Sequence, residues 1–148
     1  MSGENVKNIE TPKFAFGPLI CYEDIFPEMS RKEVLMGALF LVNITNNAWF
    51  GKTSAPFQHL AMSVMRAVET KRYMVRSTNT GVSAIVDPTG RILVESLMYT
   101  PAILVSDISL MDIKTPYVKY GDWFAYGCVV YVFLGLVMVC INRKKSVV

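Results

Sequence analysis

One histidine and three cysteines among 148 residues leave little room for metal or disulfide chemistry. Two of the cysteines, Cys128 and Cys140, lie inside one apolar run near the C-terminus, so Cys21 stands alone in the remainder. A disulfide framework is excluded there, and with His59 as the one imidazole a Cys/His metal site is excluded as well. Basic residues interleaved with aromatics are also missing. The net charge is only +3, three of the cations are adjacent at 143–145, and no nucleic-acid motif occurs, which removes nucleic acid as a partner. Residues 1–13 (MSGENVKNIETPK) contain no apolar core, so this polar leader is neither a signal peptide nor a first membrane helix.

What is abundant is apolar: 52% hydrophobic residues against 18% charged ones. Much of the excess lies in the uncharged run WFAYGCVVYVFLGLVMVCIN, which ends at Arg143, Lys144 and Lys145. Twenty helical residues span about 30 Å, the thickness of a bilayer's hydrocarbon core. Tyr120, Trp123, Phe124 and Tyr126 gather at one end of the run and the basic triplet closes the other, as membrane interfaces favour. A transmembrane helix is expected over 122–142, with a basic tail at 143–148 on the cytoplasmic side and everything before Gly121 on the outer face. A buried core helix of a soluble protein is the competing reading, which the length and flanks disfavour. Because the leader exports nothing, an upstream segment or another chain is expected to bring the domain across.

Along the chain, 14–21 (FAFGPLIC) reads as a buried strand, a helix follows Pro27 over 28–37, and 38–44 (ALFLVNI) reads as a second buried strand. That order argues an α/β sandwich. The Asn-, Gly-, Ser- and Pro-containing stretch 45–56 must be a loop, and Leu60, Ala61, Val64, Ala67 and Val68 recur at helical spacing over 57–70. Arg66 and Glu69 can pair along that helix. Short strands are expected at 73–77, 82–87 and 91–96, the last two joined as a hairpin by Asp87-Pro-Thr-Gly90, and a final strand at 103–108. Residues 109–121 then form a linker.

A cysteine at a strand end followed by a helix start is a setting for a nucleophile, and the backbone N–H of Tyr22 is placed to bind an oxyanion. From the residues alone, a small buried hydrophobe is the commoner reading of such a cysteine. The motifs go further. The segment GPLICYEDIFPE at 17–28 is similar to the surroundings of the nucleophile in the nitrilase (carbon-nitrogen hydrolase) superfamily. Cys21-Tyr22-Glu23 specifically resembles the apolipoprotein N-acyltransferase branch. NITNNAWFG at 43–51, APFQHLAM at 55–62, RAVE at 66–69 and TNTG at 78–81 fall in that family's order and approximate spacing.

The resemblance implies the C-terminal part of a nitrilase-type αββα sandwich over 14–108, followed by one transmembrane helix. It implies acyl transfer in two steps. Cys21 attacks an ester carbonyl of a phospholipid donor, and the N-terminal amine of a diacylglyceryl-cysteine lipoprotein then accepts the acyl group. No cofactor and no metal are implied. In the family the cysteine works with a Glu base and a Lys, both far N-terminal to it. The only acids and lysines before Cys21 are Glu4, Lys7, Glu10 and Lys13, in the polar leader, and they are not assigned those roles. With no cationic neighbour little of the thiol is ionised at neutral pH. The chain alone is therefore expected to be inactive, as half of a split enzyme, a truncated product or a non-catalytic lipid-binding remnant. An unpaired sheet edge awaiting a partner chain is expected with it.

Glu23 carries two readings, a residue that orders the substrate pocket, which the resemblance favours, and a helix N-terminal carboxylate. Trp49 and Phe50 are candidates for contact with acyl chains or the membrane surface, against plain loop packing. His59 heads the helix after the loop and is expected to be structural, because the family uses no histidine base. A membrane-tethered amidase acting on a small C–N substrate is the rival enzyme, disfavoured by the Trp-Phe-Gly loop and the apolar run.

Overall fold

The computed structural model describes residues 7–145, and within the last helix the described side chains are those of 123–139 and 141. Six strands form one sheet in the order β1-β2-β3-β4-β5-β6: Ile9–Glu10, Ala15–Ile20, Leu41–Thr45, Met74–Thr78, Ala84–Val86 and Ile92–Glu95. The central strands β2, β3 and β4 run parallel, because the chain returns through a helix each time: α1 (Pro27–Leu35) and α2 (Ala55–Thr70). Antiparallel pairs flank them, β1 with β2 on one side and β4, β5 and β6 in a meander on the other. Pro27 and Pro56 each fall in the first turn of their helix, where a missing N–H is harmless. That is why α2 begins at Ala55, ahead of the expected start at 57.

Register decides what lies under the helices. Leu19, Asn43 and Arg76 are aligned across β2, β3 and β4, and so are Gly17, Leu41, Met74 and Val86. All of these are buried, and the second row joins Val34, Leu60, Ala67 and Val118 in one hydrophobic core. Gly17 is required there: a Cβ on it would stand 2.7 Å from Glu33 Cβ of α1. The alternate residues Ile20 and Ile44 point to the other side, where each is 56% exposed. Among the described residues the sheet is thus covered by helices on one face only.

Three expectations change. The strand anticipated at 103–108 does not form: Ile103 and Val105 are 93% and 81% exposed, and the segment pairs with no strand among the described residues. The polar leader, of which 1–6 lie outside the described residues, contains β1, which the pairing of Ile9 with Phe16 ties to the sheet. The linker at 109–121 is part of the domain. It carries α3 (Pro116–Tyr120), capped by the Thr115 side chain, and buries Val118 completely. Arg72 Nη1 donates to Ile113 O at 2.7 Å, Arg31 Nε to Tyr117 O at 3.1 Å and Thr115 Oγ1 to Glu69 O at 2.7 Å. Arginines that satisfy backbone carbonyls leave no composition signal, so the segment looks like a linker in sequence.

A last helix, α4, spans Trp123–Lys145. Among the described residues no helix is long and apolar enough to cross a membrane, so the spanning helix expected over 122–142 is not confirmed by this stretch. Of the basic tail, 146–148 lie outside the described residues.

Candidate active site

Cys21 follows the last residue of β2 and opens a 3-10 turn over Cys21–Ile25. Its φ of 54° is left-handed, one of three such non-glycine residues among those described. For an L-residue with a Cβ this conformation costs about 1–2 kcal/mol, so the surroundings must hold it. They do so from both sides of the turn. Glu23 Oε2 accepts the Ile20 N–H at 2.7 Å, ahead of the cysteine. Asn43 Nδ2 donates to Leu19 O at 3.2 Å and to Cys21 O at 3.0 Å from the neighbouring strand. The thiol stays partly exposed, and Thr45 Oγ1 lies 3.4 Å from its sulfur.

Beneath the turn is a buried polar network that the sequence did not announce as a unit. Arg76 Nη1 donates to Asp24 Oδ2 at 2.7 Å, to Asn43 Oδ1 at 2.8 Å and to Ser63 Oγ at 2.7 Å. His59 Nε2 is 2.7 Å from Asp24 Oδ1, and Ser63 Oγ also donates to Asp24 Oδ2. Both side chains of the Arg76–Asp24 pair are fully buried. Burial pushes the Arg76 guanidinium down from its ordinary value while the Asp24 carboxylate beside it pulls the other way. Asp24, Asn43, Thr45, Asn47, Ser63 and Arg76 were not singled out from sequence. A polar residue inside an otherwise apolar strand, as Asn43 is in LVNIT, was the available signal.

The residues that were singled out come together unevenly. Cys21, Tyr22 and Glu23 are adjacent in the turn, and the first-turn position of Tyr22 leaves its N–H without an intrahelical acceptor. The Tyr22 ring stacks on His59 at 4.9 Å and meets the edge of Phe50 at 6.0 Å, which links the loop to the cysteine turn. Trp49 is tethered through Nε1 to Asn46 O at 2.9 Å, yet 77% exposed. His59 is 3% exposed and engages Asp24 and Asn47 rather than Cys21. Arg66 Nη2 donates to Glu69 Oε1 at 2.9 Å on the same helix. Lys7, Glu10 and Lys13 are exposed, and Glu4 lies outside the described residues. Among the described residues no three His, Cys, Asp or Glu side chains converge to hold a metal ion.

Cys21 thus stands in a left-handed conformation at the end of a central strand of a mixed sheet, with a buried charged network behind it. The carbon-nitrogen hydrolase family profile matches residues 1–115, and the chain belongs to that family. Within it, similar curated relatives carry the name apolipoprotein N-acyltransferase. The protein of Geobacter metallireducens is 41% identical over 145 residues, 98% of this chain and 27% of its own length. That of Nitrosomonas europaea is 46% identical over 128 residues, covering 86% of this chain and 26% of its own length. The chain thus spans about a quarter of the length of the curated relatives it matches. Among solved structures, a variant of an amidase from Nesterenkonia sp. is 26% identical with a TM-score of 0.60, over 81% of this chain and 46% of that one. It shows covalent addition of the acetamide moiety of fluoroacetamide at the active site cysteine.

Proposed function

We propose that this chain is the nucleophile-bearing C-terminal part of an apolipoprotein N-acyltransferase. The Cys21 sulfur attacks the ester carbonyl of a phospholipid, the C–O bond breaks, and a lysophospholipid leaves with a proton on its alcohol oxygen. The thioester is then attacked by the N-terminal amine of a diacylglyceryl-cysteine lipoprotein, which forms the amide and returns the thiol. Tyr22 N–H receives the oxyanion of each tetrahedral intermediate. Glu23 keeps the turn in shape, and Trp49 and Phe50 meet the acyl chain or the membrane surface. The observation that carries the reading is the left-handed, partly exposed Cys21 on a strand-to-helix turn.

The reading includes the bacterial cytoplasmic membrane. In α4, Val129, Tyr131, Phe133, Leu136 and Met138 are all more than half exposed, an apolar surface on every side that lipid covers at no penalty. With α4 spanning the bilayer and its basic end in the cytoplasm, the catalytic domain lies on the outer face. Activation of the thiol needs the family's Glu and Lys, which no residue of this sequence matches. A separate chain, or further polypeptide on this one, supplies them, and the chain alone is inactive.

The test uses membranes holding the full chain together with a polypeptide bearing that Glu and Lys, incubated with phospholipid carrying a labelled acyl group. The expected result is label on Cys21 that hydroxylamine releases and a diacylglyceryl-cysteine peptide discharges, with none on Cys21→Ser or on the chain alone. Label persisting in Cys21→Ser defeats the proposal. Hydrolysis of small amides without acyl transfer would instead favour an amidase, the activity named for the Nesterenkonia protein.

A further inference from the structure

Thr45 is 6% exposed, so its hydroxyl proton goes to a protein acceptor, and two are within reach. One is Cys21 Sγ at 3.4 Å and the other is Asn47 Oδ1 at 3.3 Å. The same Asn47 oxygen lies 3.3 Å from His59 Nδ1, while Asn47 Nδ2 is buried without a partner. His59 Nε2 faces Asp24 Oδ1 at 2.7 Å. A carboxylate only accepts, so a proton sits on Nε2, and a ring holding that one proton presents Nδ1 as an acceptor. An acceptor facing an acceptor, with an unused amide NH2 on the same side chain, is relieved by turning the amide through half a revolution. The NH2 then donates one hydrogen to His59 Nδ1 and the other to Thr45 Oγ1. The amide oxygen comes to face Gly81, where no side chain crowds it. Thr45 is left with a single acceptor, the sulfur.

We propose that Thr45 donates a hydrogen bond that stabilises the Cys21 thiolate, and that Asn47, His59 and Asp24 act as positioning residues that fix its direction. The inference rests on the reading of Cys21 as a nucleophile and adds to it a residue that touches the reacting atom. A donor aimed at sulfur favours the charged form over the thiol. Tyr22, Glu23, Asp24, His59 and Arg76, the titratable groups around the turn, are unchanged in Thr45 variants, so a shift in those variants reports the hydroxyl.

The experiment measures the rate of iodoacetamide alkylation at Cys21 against pH on the full chain in detergent, with peptide-resolved mass spectrometry to separate it from Cys128 and Cys140. In Thr45→Val and Thr45→Ala the midpoint of the profile rises by about one pH unit, a tenfold slower reaction below the midpoint, with the high-pH plateau retained. Thr45→Ser keeps the parental midpoint. If Thr45→Val fails to fold, the Ala and Ser pair decides. Midpoints equal in all variants, or a Ser variant that shifts as far as Val, overturn the proposal. No acyl transfer enters this readout, so loss of thioester formation with the expected shifts would count against the function and leave the hydrogen bond standing.

Discussion

Asn43 Nδ2 holds the carbonyl of Cys21 at 3.0 Å, and the same amide accepts from Arg76 through its oxygen at 2.8 Å. The backbone of the candidate nucleophile is therefore fixed by a side chain on the neighbouring strand, in the register that pairs Leu19 with Asn43 and Asn43 with Arg76. Asn43→Leu preserves the volume and removes three bonds, so that the carbonyls of Leu19 and Cys21 and the Arg76 guanidinium each lose a partner. Each buried group so orphaned costs about 1–3 kcal/mol. The variant is expected to unfold at clearly lower denaturant concentration than the parent and to alkylate Cys21 at an altered rate. A parental unfolding curve would show that the register bond carries no energy.

The left-handed backbone at Cys21 makes a sharper prediction, because it separates strain from chemistry. Glycine adopts φ of 54° freely, whereas alanine pays for its Cβ. Cys21→Gly should be more stable than Cys21→Ala by about 1 kcal/mol, the reverse of what is seen in a strand or helix interior. Both variants lack the thiol, so the comparison owes nothing to reactivity. Equal stability would mean that the turn relaxes once the cysteine is gone.

Arg76 and Asp24 form a fully buried ion pair at 2.7 Å. Removing one partner leaves the other charge uncompensated in the interior, which costs about 3–5 kcal/mol, although replacing the whole pair by apolar residues can be neutral. Arg76→Met alone should therefore unfold the domain or lower its midpoint severely, and Arg76→Met with Asp24→Leu should recover part of the loss. Unfolding midpoints of the single and double variants in one detergent check this. A double variant as damaged as the sum of its singles would contradict the coupling.

Where periodicity and turn chemistry were strong, the sequence was legible. The run FAFGPLIC became β2, Pro27 opened α1, and Asp87-Pro-Thr-Gly90 joined β5 to β6, because burial and φ preferences act locally. The segment at 103–108 misled because an apolar stretch becomes a strand only where a neighbour pairs with it, and among the described residues this one pairs with none. At the site, the motif drew attention to Cys21, Tyr22 and Glu23, which lie together in one turn. The partners of Asp24 are 35, 39 and 52 residues away, at His59, Ser63 and Arg76, and no local signal encodes such a meeting. His59 illustrates the difference: it sits in a legible helix, but its hold on Asp24 appears only in the structure.

Glu33 supplies the pH prediction. It lies against Gly17 on the covered face of the sheet, 3% exposed, with Oε2 lacking a partner. Burial raises its carboxyl from the ordinary value of 4.5 to about 7, and the nearby Glu23 charge adds to the rise. The folded chain thus holds this proton more tightly than the unfolded one, so the favourable contribution is full below 4.5 and is lost as pH climbs through about 7. The whole span corresponds to about 3 kcal/mol. Glu33→Gln does not titrate, and its uncharged amide mimics the protonated acid. Its unfolding midpoint should therefore stay level between about pH 5 and 8 where the parent's falls. Because glutamine brings an NH2 of its own that needs a partner, the slopes of the two profiles are the quantity to compare, not their heights. Parallel slopes would mean that Glu33 is ionised in the fold at neutral pH, paired with a group that the geometry around Gly17 does not reveal.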